Sequence, residues 1–176
     1  MMRKTLLTAG SLFAAAVFMP AHAAKDDGPS DVEIAHIAYT AGQIDIRYAH
    51  LALSLSENPH VRDFAQTMLR DHKSVNDAAL GLLDKLEVAP KDNATSQSLV
   101  KQAAAKRAEL KSLSGTAFDR AYAENELAYH QFVNKTIEES FIPAADNQEF
   151  KELLGVALKT FQAHEGHAEH LVESTE

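Results

Sequence analysis

Cysteine and tryptophan are absent from the 176 residues, and proline and glycine are sparse, at five and seven. Without cysteine there is no disulfide and no lipid-anchored N-terminal thiol, so an oxidising compartment leaves no mark on the fold. Scarce proline and glycine, few β-branched runs, and plentiful Ala, Leu, Glu and Lys favour an all-α chain. Basic residues are in short supply, 17 against 25 acidic ones. No cluster of them is fit to neutralise a run of phosphates, which excludes nucleic acid as a partner. No stretch is apolar for the ~20 residues that a membrane span needs. Neither a Gly-rich phosphate loop nor a nucleophile elbow occurs, so nucleotide chemistry and Ser/His/Asp catalysis have no footing.

The first 23 residues have the three parts of a secretory signal peptide. Arg3 and Lys4 open it, Thr5 to Met19 is mainly apolar, and Ala21-His22-Ala23 is a small-x-small cleavage site. Cleavage near Ala23 predicts a periplasmic or secreted protein, and the alanine-rich leader suggests a bacterial one. Loss of Arg3 and Lys4 leaves 15 basic residues against 25 acidic, taking the net charge from −8 to −10. Residues 24–30 read as a flexible tether, 31–172 as one helical domain and 173–176 as a tail.

Within the domain, Ser30 with Glu33 predicts a capping box that opens helix A, whose inner stripe runs through Ile34, Ala38, Ala41, Asp45, Tyr48, Ala52 and Leu55. Asn58-Pro59 ends A and starts helix B, Pro59 sitting where its missing N–H costs nothing. So short a turn makes A and B antiparallel neighbours. Helix B runs to Val88-Ala89-Pro90. The polar stretch Lys91 to Ser98 predicts the long connection, and Leu99 to Leu113 an extra helical segment within it. Thr116 with Asp119 predicts the cap of helix C, which extends to about Phe141 and stops at Pro143. Asp146 with Glu149 predicts the start of helix D, Asn147 to about Val172. The expected fold is an antiparallel four-helix bundle of ferritin-like connectivity, with an extra helical segment in the B–C connection.

Two segments repeat one layout. Phe64, Met68, His72, Val75 and Asn76 on helix B match Tyr122, Glu126, His130, Val133 and Asn134 on helix C at a constant offset. Both imidazoles lie on the stripe that faces the core. Asp45 lies near the middle of helix A, His72 of B, and Glu126 and His130 straddle that of C. His164 lies past the middle of D, with His167 one turn beyond. In an antiparallel bundle such positions share a height, and unpaired charges there cost several kcal/mol, so the side chains must meet something.

One tenant is a single transition-metal ion. The ligands would be His72, His130 and His164, with Asp45 or Glu126 completing the set, and His167 as a further candidate. By ligand type this suits zinc, iron or copper. Asp71, Tyr48, Tyr122 and Tyr129 would stand behind the ligands as hydrogen-bonding partners. The other reading is a metal-free lattice in which these His, Asp and Tyr residues only fix helix packing, the protein acting through its acidic surface or by self-association as a homo-oligomer. An enzyme ranks third, since there are acids and bases but no evident cleft. Di-iron bundles carry Glu-x-x-His on two helices; here Leu69, Leu127 and Phe161 occupy the Glu position, which argues against a ferroxidase centre. The run His164 to His170 lacks the His-to-His spacing of four in the metalloprotease motif, since Ala168 stands there.

Phe64-Ala65, Met68, Asp71-His72 and Asn76, then Phe118 to Tyr122 with His130, then His164, resemble the bacterial exported ferritin-like family known as domain of unknown function 4142. The resemblance spans about Asp31 to Leu171. Members often have Glu where this chain has Asp45, a second Asp where it has Tyr129, and an apolar residue where it has Glu165. The resemblance implies the bundle and export; a role in metal handling or envelope stress is an expectation from the residues.

Overall fold

The computed structural model describes residues 28–175; the expected signal peptide and most of the expected tether lie outside the described residues. The described residues are helical with no strand: α1 (Asp31–Leu55), α2 (Pro59–Lys85), α3 (Ala94–Lys111), α4 (Gly115–Thr136), a π-helical turn (Ile137–Phe141), a single turn α5 (Ile142–Ala144) and α6 (Gln148–Ser174). Helices A to D of the sequence reading are α1, α2, α4 and α6.

Local chemistry sets most of the ends. The Ser30 N–H donates to Glu33 Oε2 at 3.1 Å, and Lys91 reaches the same carboxylate at 2.9 Å. Asn58 Oδ1 accepts from the His60 N–H beside Pro59. Two caps differ from expectation. Asn147, not Asp146, caps α6 by accepting from the Phe150 N–H at 2.9 Å. Asp119 does not cap α4. It is buried and accepts from the Ser56 hydroxyl in the α1–α2 turn, while Ser114 is the N-cap and Gly115 takes the left-handed backbone conformation.

The chain runs up α1, down α2, up α3, down α4 and up α6. The Lys91 N–H donates to the Val32 carbonyl, and the Asp146 and Asn147 N–H groups donate to Asp31, so the α2–α3 and α5–α6 connections sit at the N-terminal end of α1. The Ser56–Asp119 bond marks the opposite end. Thus α2 and α4 run parallel, joined by α3 as the crossover, which is the ferritin-like connectivity. Packing is closest between α1 and α2, between α4 and α6, and between α2 and α6; α1 and α4 touch more loosely.

Beside that looser edge lies α3, packed mainly on α1. It begins five residues before the predicted Leu99, because the Asn93 side chain accepts from the Ser96 N–H and lets a polar run start a helix. Its cover buries a second face of α1, Ile37, Thr40, Ile44 and Leu51, whereas Leu55, expected inside, is exposed. Apolar residues form two clusters, one around Tyr48, Phe64, Met68, Phe118 and Tyr122, the other around Ile34, Ile137, Phe150, Leu154 and Phe161. The polar layer lies between them.

Candidate metal centre

Asp45 of α1, His72 of α2, Glu126 and His130 of α4 and His164 of α6 are each at most 3 % exposed. All four long helices therefore contribute one polar group or two to the same layer. The ligand-capable atoms of His72, His130 and His164 lie within 4.8 Å of one another, and those of Asp45, Glu126 and His130 do likewise. Asp45 Oδ2 is 3.5 Å from His72 Nε2 and 3.6 Å from His130 Nε2, just beyond good hydrogen-bond length. Glu126 Oε2 is 4.0 Å from His130 Nδ1.

Two of the three rings are anchored from outside. His130 Nδ1–H donates to the Glu126 backbone carbonyl at 2.9 Å, an acceptor one helical turn back. His164 Nε2–H donates to Asp71 Oδ2 at 3.0 Å, and Arg70 binds that carboxylate through two nitrogens at 2.8 and 3.2 Å. A carbonyl and a carboxylate only accept, so each ring carries its proton on the anchored nitrogen, and the lone pair sits on the other. Those other nitrogens, His130 Nε2 and His164 Nδ1, have no hydrogen-bond partner, and neither nitrogen of His72 has one. The His72 ring is held by stacking on Phe161, with centroids 4.6 Å apart at 13°.

Burial dominates the protonation of this layer. It drives the His72 imidazole down to about 3 and His130 down to about 4, and lowers His164 despite the Asp71 hydrogen bond. All three rings are therefore neutral at physiological pH, the form that offers a lone pair. Burial also raises Asp45, against the pull of the nearby imidazoles, and raises Glu126 further because Asp45 stands beside it. Two carboxyls so close and so dry each disfavour the other's charge. Asp71 is different: burial opposes its ionisation, but hydrogen bonds from Arg70 and His164 outweigh it and keep the carboxylate charged.

The remaining sequence candidates are placed as follows. Tyr129 donates to the Ala41 carbonyl at 3.0 Å and packs edge-on against Tyr48. The Tyr122 hydroxyl is buried without a partner, and burial raises it well above its ordinary range. His167 is exposed and belongs to neither converging group among the described residues. Sequence reasoning left unassigned the two asparagines that follow the paired histidines. Asn76 lies against Gly42 of α1, and Asn134 donates to Glu165 of α6 at 2.6 Å. Their repeated position four residues after each His was the available signal.

Buried neutral imidazoles that each keep an unpartnered nitrogen, beside carboxyls and with two of the rings held by hydrogen-bond acceptors, are the donor types that suit a borderline transition-metal ion. Buried polar atoms without partners are otherwise rare and costly. Such a set can take up a cation, whose charge would favour the ionised form of the carboxyls.

The family model described as "Domain of unknown function (DUF4142)" matches residues 17–171. No curated protein matches the chain. Among solved structures, "CopM in the Cu(II)-bound form" is similar at a TM-score of 0.63 and 14% identity, covering 84% of this chain and 99% of that one. At that identity the likeness concerns the fold.

Proposed function

The chain belongs to the DUF4142 family, and from that premise we propose that it binds one transition-metal ion in the core of its bundle, through His72, His130 and His164 with Asp45 or Glu126 completing the set. The observation that carries this reading is that three buried imidazoles converge and each keeps an unpartnered nitrogen, two of them on rings whose other N–H is already committed to an acceptor. A lattice that served packing alone would satisfy those nitrogens with one another or with Asp45, and the 3.5 and 3.6 Å separations fall short of that. Of zinc, iron and copper, copper comes first, because the similarly folded CopM is described in a Cu(II)-bound form. The leader sequence supports export, and the role that fits an exported metal-binding bundle is metal handling or envelope stress protection, not turnover of an organic substrate.

The deciding experiment is elemental analysis of tag-free mature protein purified without chelator, beside a His72→Ala/His130→Ala variant. Near-stoichiometric metal in the first and none in a folded second is expected. No metal in the wild type, and none acquired on titration with zinc, iron or copper, would sink the reading and leave a metal-free packing module.

A further inference from the structure

A chamber of ≈ 90 Å³ opens between α1, α3 and α4 and ends on the polar layer. Exposure falls along it. Thr95 and Phe132, the latter 55% exposed, stand at the mouth; Ala41, Leu99 and Val133 are half-buried along the sides; His72 and His130 are buried at the floor. The π-helical turn supplies Ile137 and Phe141 to the inner wall, and such turns recur at functional sites. Apart from the two imidazoles and a few hydroxyls, the lining is hydrocarbon.

We propose that this chamber is a binding site for a small, uncharged, apolar molecule of about the size of dioxygen, and that it leads such a molecule to the His72–His130 side of the layer. Three features argue for that class. An apolar cavity of roughly 150 Å³ stays dry and takes up benzene or xenon; the present chamber is smaller and suits a diatomic or a single xenon atom. A hydrated cation would have to shed water against hydrocarbon at a cost of several kcal/mol, so the passage does not serve the metal. A hydrophilic substrate finds too few partners along the walls to replace its hydration. The part given to the floor rests on the metal reading above; the chamber itself does not.

The test uses xenon on the metal-free, full-length mature protein, followed through the methyl resonances of Leu99, Val133 and Ile137. Saturable shifts confined to those methyls are expected. Ala41→Leu, which fills the chamber, and Val133→Phe, which fills it from another helix, should each abolish the shifts while retaining wild-type metal content and a cooperative melt. No shift at these methyls in the wild type, or shifts that persist in a folded filled variant, would overturn the proposal. Xenon binding by a wild-type protein that takes up no metal would keep the chamber and refute the metal reading, so the two fail separately.

Discussion

His72 has no hydrogen-bond partner on either ring nitrogen, which makes it the residue whose replacement best separates a ligand from a packing element. A buried unpartnered polar group costs about 1–3 kcal/mol, and leucine fills a similar volume without that cost. His72→Leu gives up the stack on Phe161, worth about 0.5–1.5 kcal/mol, so the two terms nearly cancel. The metal-free variant is therefore expected to melt within a few degrees of the metal-free wild type, while metal content falls to zero. A loss of more than about 2 kcal/mol in the metal-free form, read from urea titrations, would mean that His72 is hydrogen-bonded in solution and that the layer is a lattice. Asp71 acts at one remove. It holds the His164 Nε2–H at 3.0 Å and so leaves the lone pair on the buried, unpartnered Nδ1. Removing a carboxylate behind a ligating imidazole typically weakens metal binding by about 10–100-fold. Asp71→Asn is expected to show that loss in competition with a chromophoric chelator, with little change in metal-free stability; undiminished affinity would remove His164 from the ligand set.

The contact of α1 with α2 depends on one position without a side chain. A Cβ at Gly42 would lie 2.5 Å from Asn76 Oδ1 and 3.0 Å from Asn76 Cγ. Overpacking of that kind costs typically 1–3 kcal/mol, partly offset by alanine's better helix propensity. Gly42→Ala should lose about 1 kcal/mol in chemical denaturation, and Asn76→Ala in the same chain should recover most of it. A stabilised single variant would show that Asn76 moves aside freely. The same pair marks where a sequence can be read and where it cannot. Stripes at spacings of three and four, the Asn58-Pro59 turn and the mid-helix histidines were legible because helix periodicity fixes which residues share a face and roughly at what height. The chirality of approach is not encoded locally, so nothing in the sequence said that Asn76 would press on Gly42, or which of the three histidines Asp71, expected behind them, would reach. Asp119 looked like a cap by spacing and is instead taken by Ser56 across the bundle. The start of α3 was missed because one side chain, Asn93, outweighs the polarity of the run that follows. The π-helical turn has no spacing signature: Ile137 and Phe141, both buried on it, stand four residues apart, as they would on one face of an α-helix.

At the scale of the molecule, one layer ties four helices together, and its protonation links stability to pH. The imidazoles ordinarily titrate near 6.5, and burial takes His72 to about 3 and His130 to about 4. Between those values the unfolded chain holds more protons than the folded one, so stability is lost as pH falls through that window. Asp45 and Glu126 have the opposite sign: their raised values mean that the folded form holds the extra proton, and their contribution fades as pH rises above the ordinary carboxylate range. The two trends oppose each other above about pH 4, where the carboxylates of the unfolded chain begin to ionise. Below that the carboxyl-pair trend is gone, the His72 trend runs on to about pH 3, and Asp71, whose charge Arg70 and His164 favour, adds a loss of the same sign, so the metal-free melting temperature should drop steeply. Metal bound as proposed would add a third dependence. It would find the rings already neutral and would draw the carboxyls, which burial and each other hold toward the protonated form, to the ionised one, so uptake should release protons and tighten as pH rises from 6 to 8. Calorimetry in two buffers of different ionisation enthalpy measures that release directly. Because only the folded bundle assembles the set, metal at a thousand times its Kd should stabilise it by about 4 kcal/mol, reversed by chelator. A bound ion that releases no proton and leaves the melting temperature unmoved would be sitting on the exposed histidines of α6, outside the layer that joins the helices.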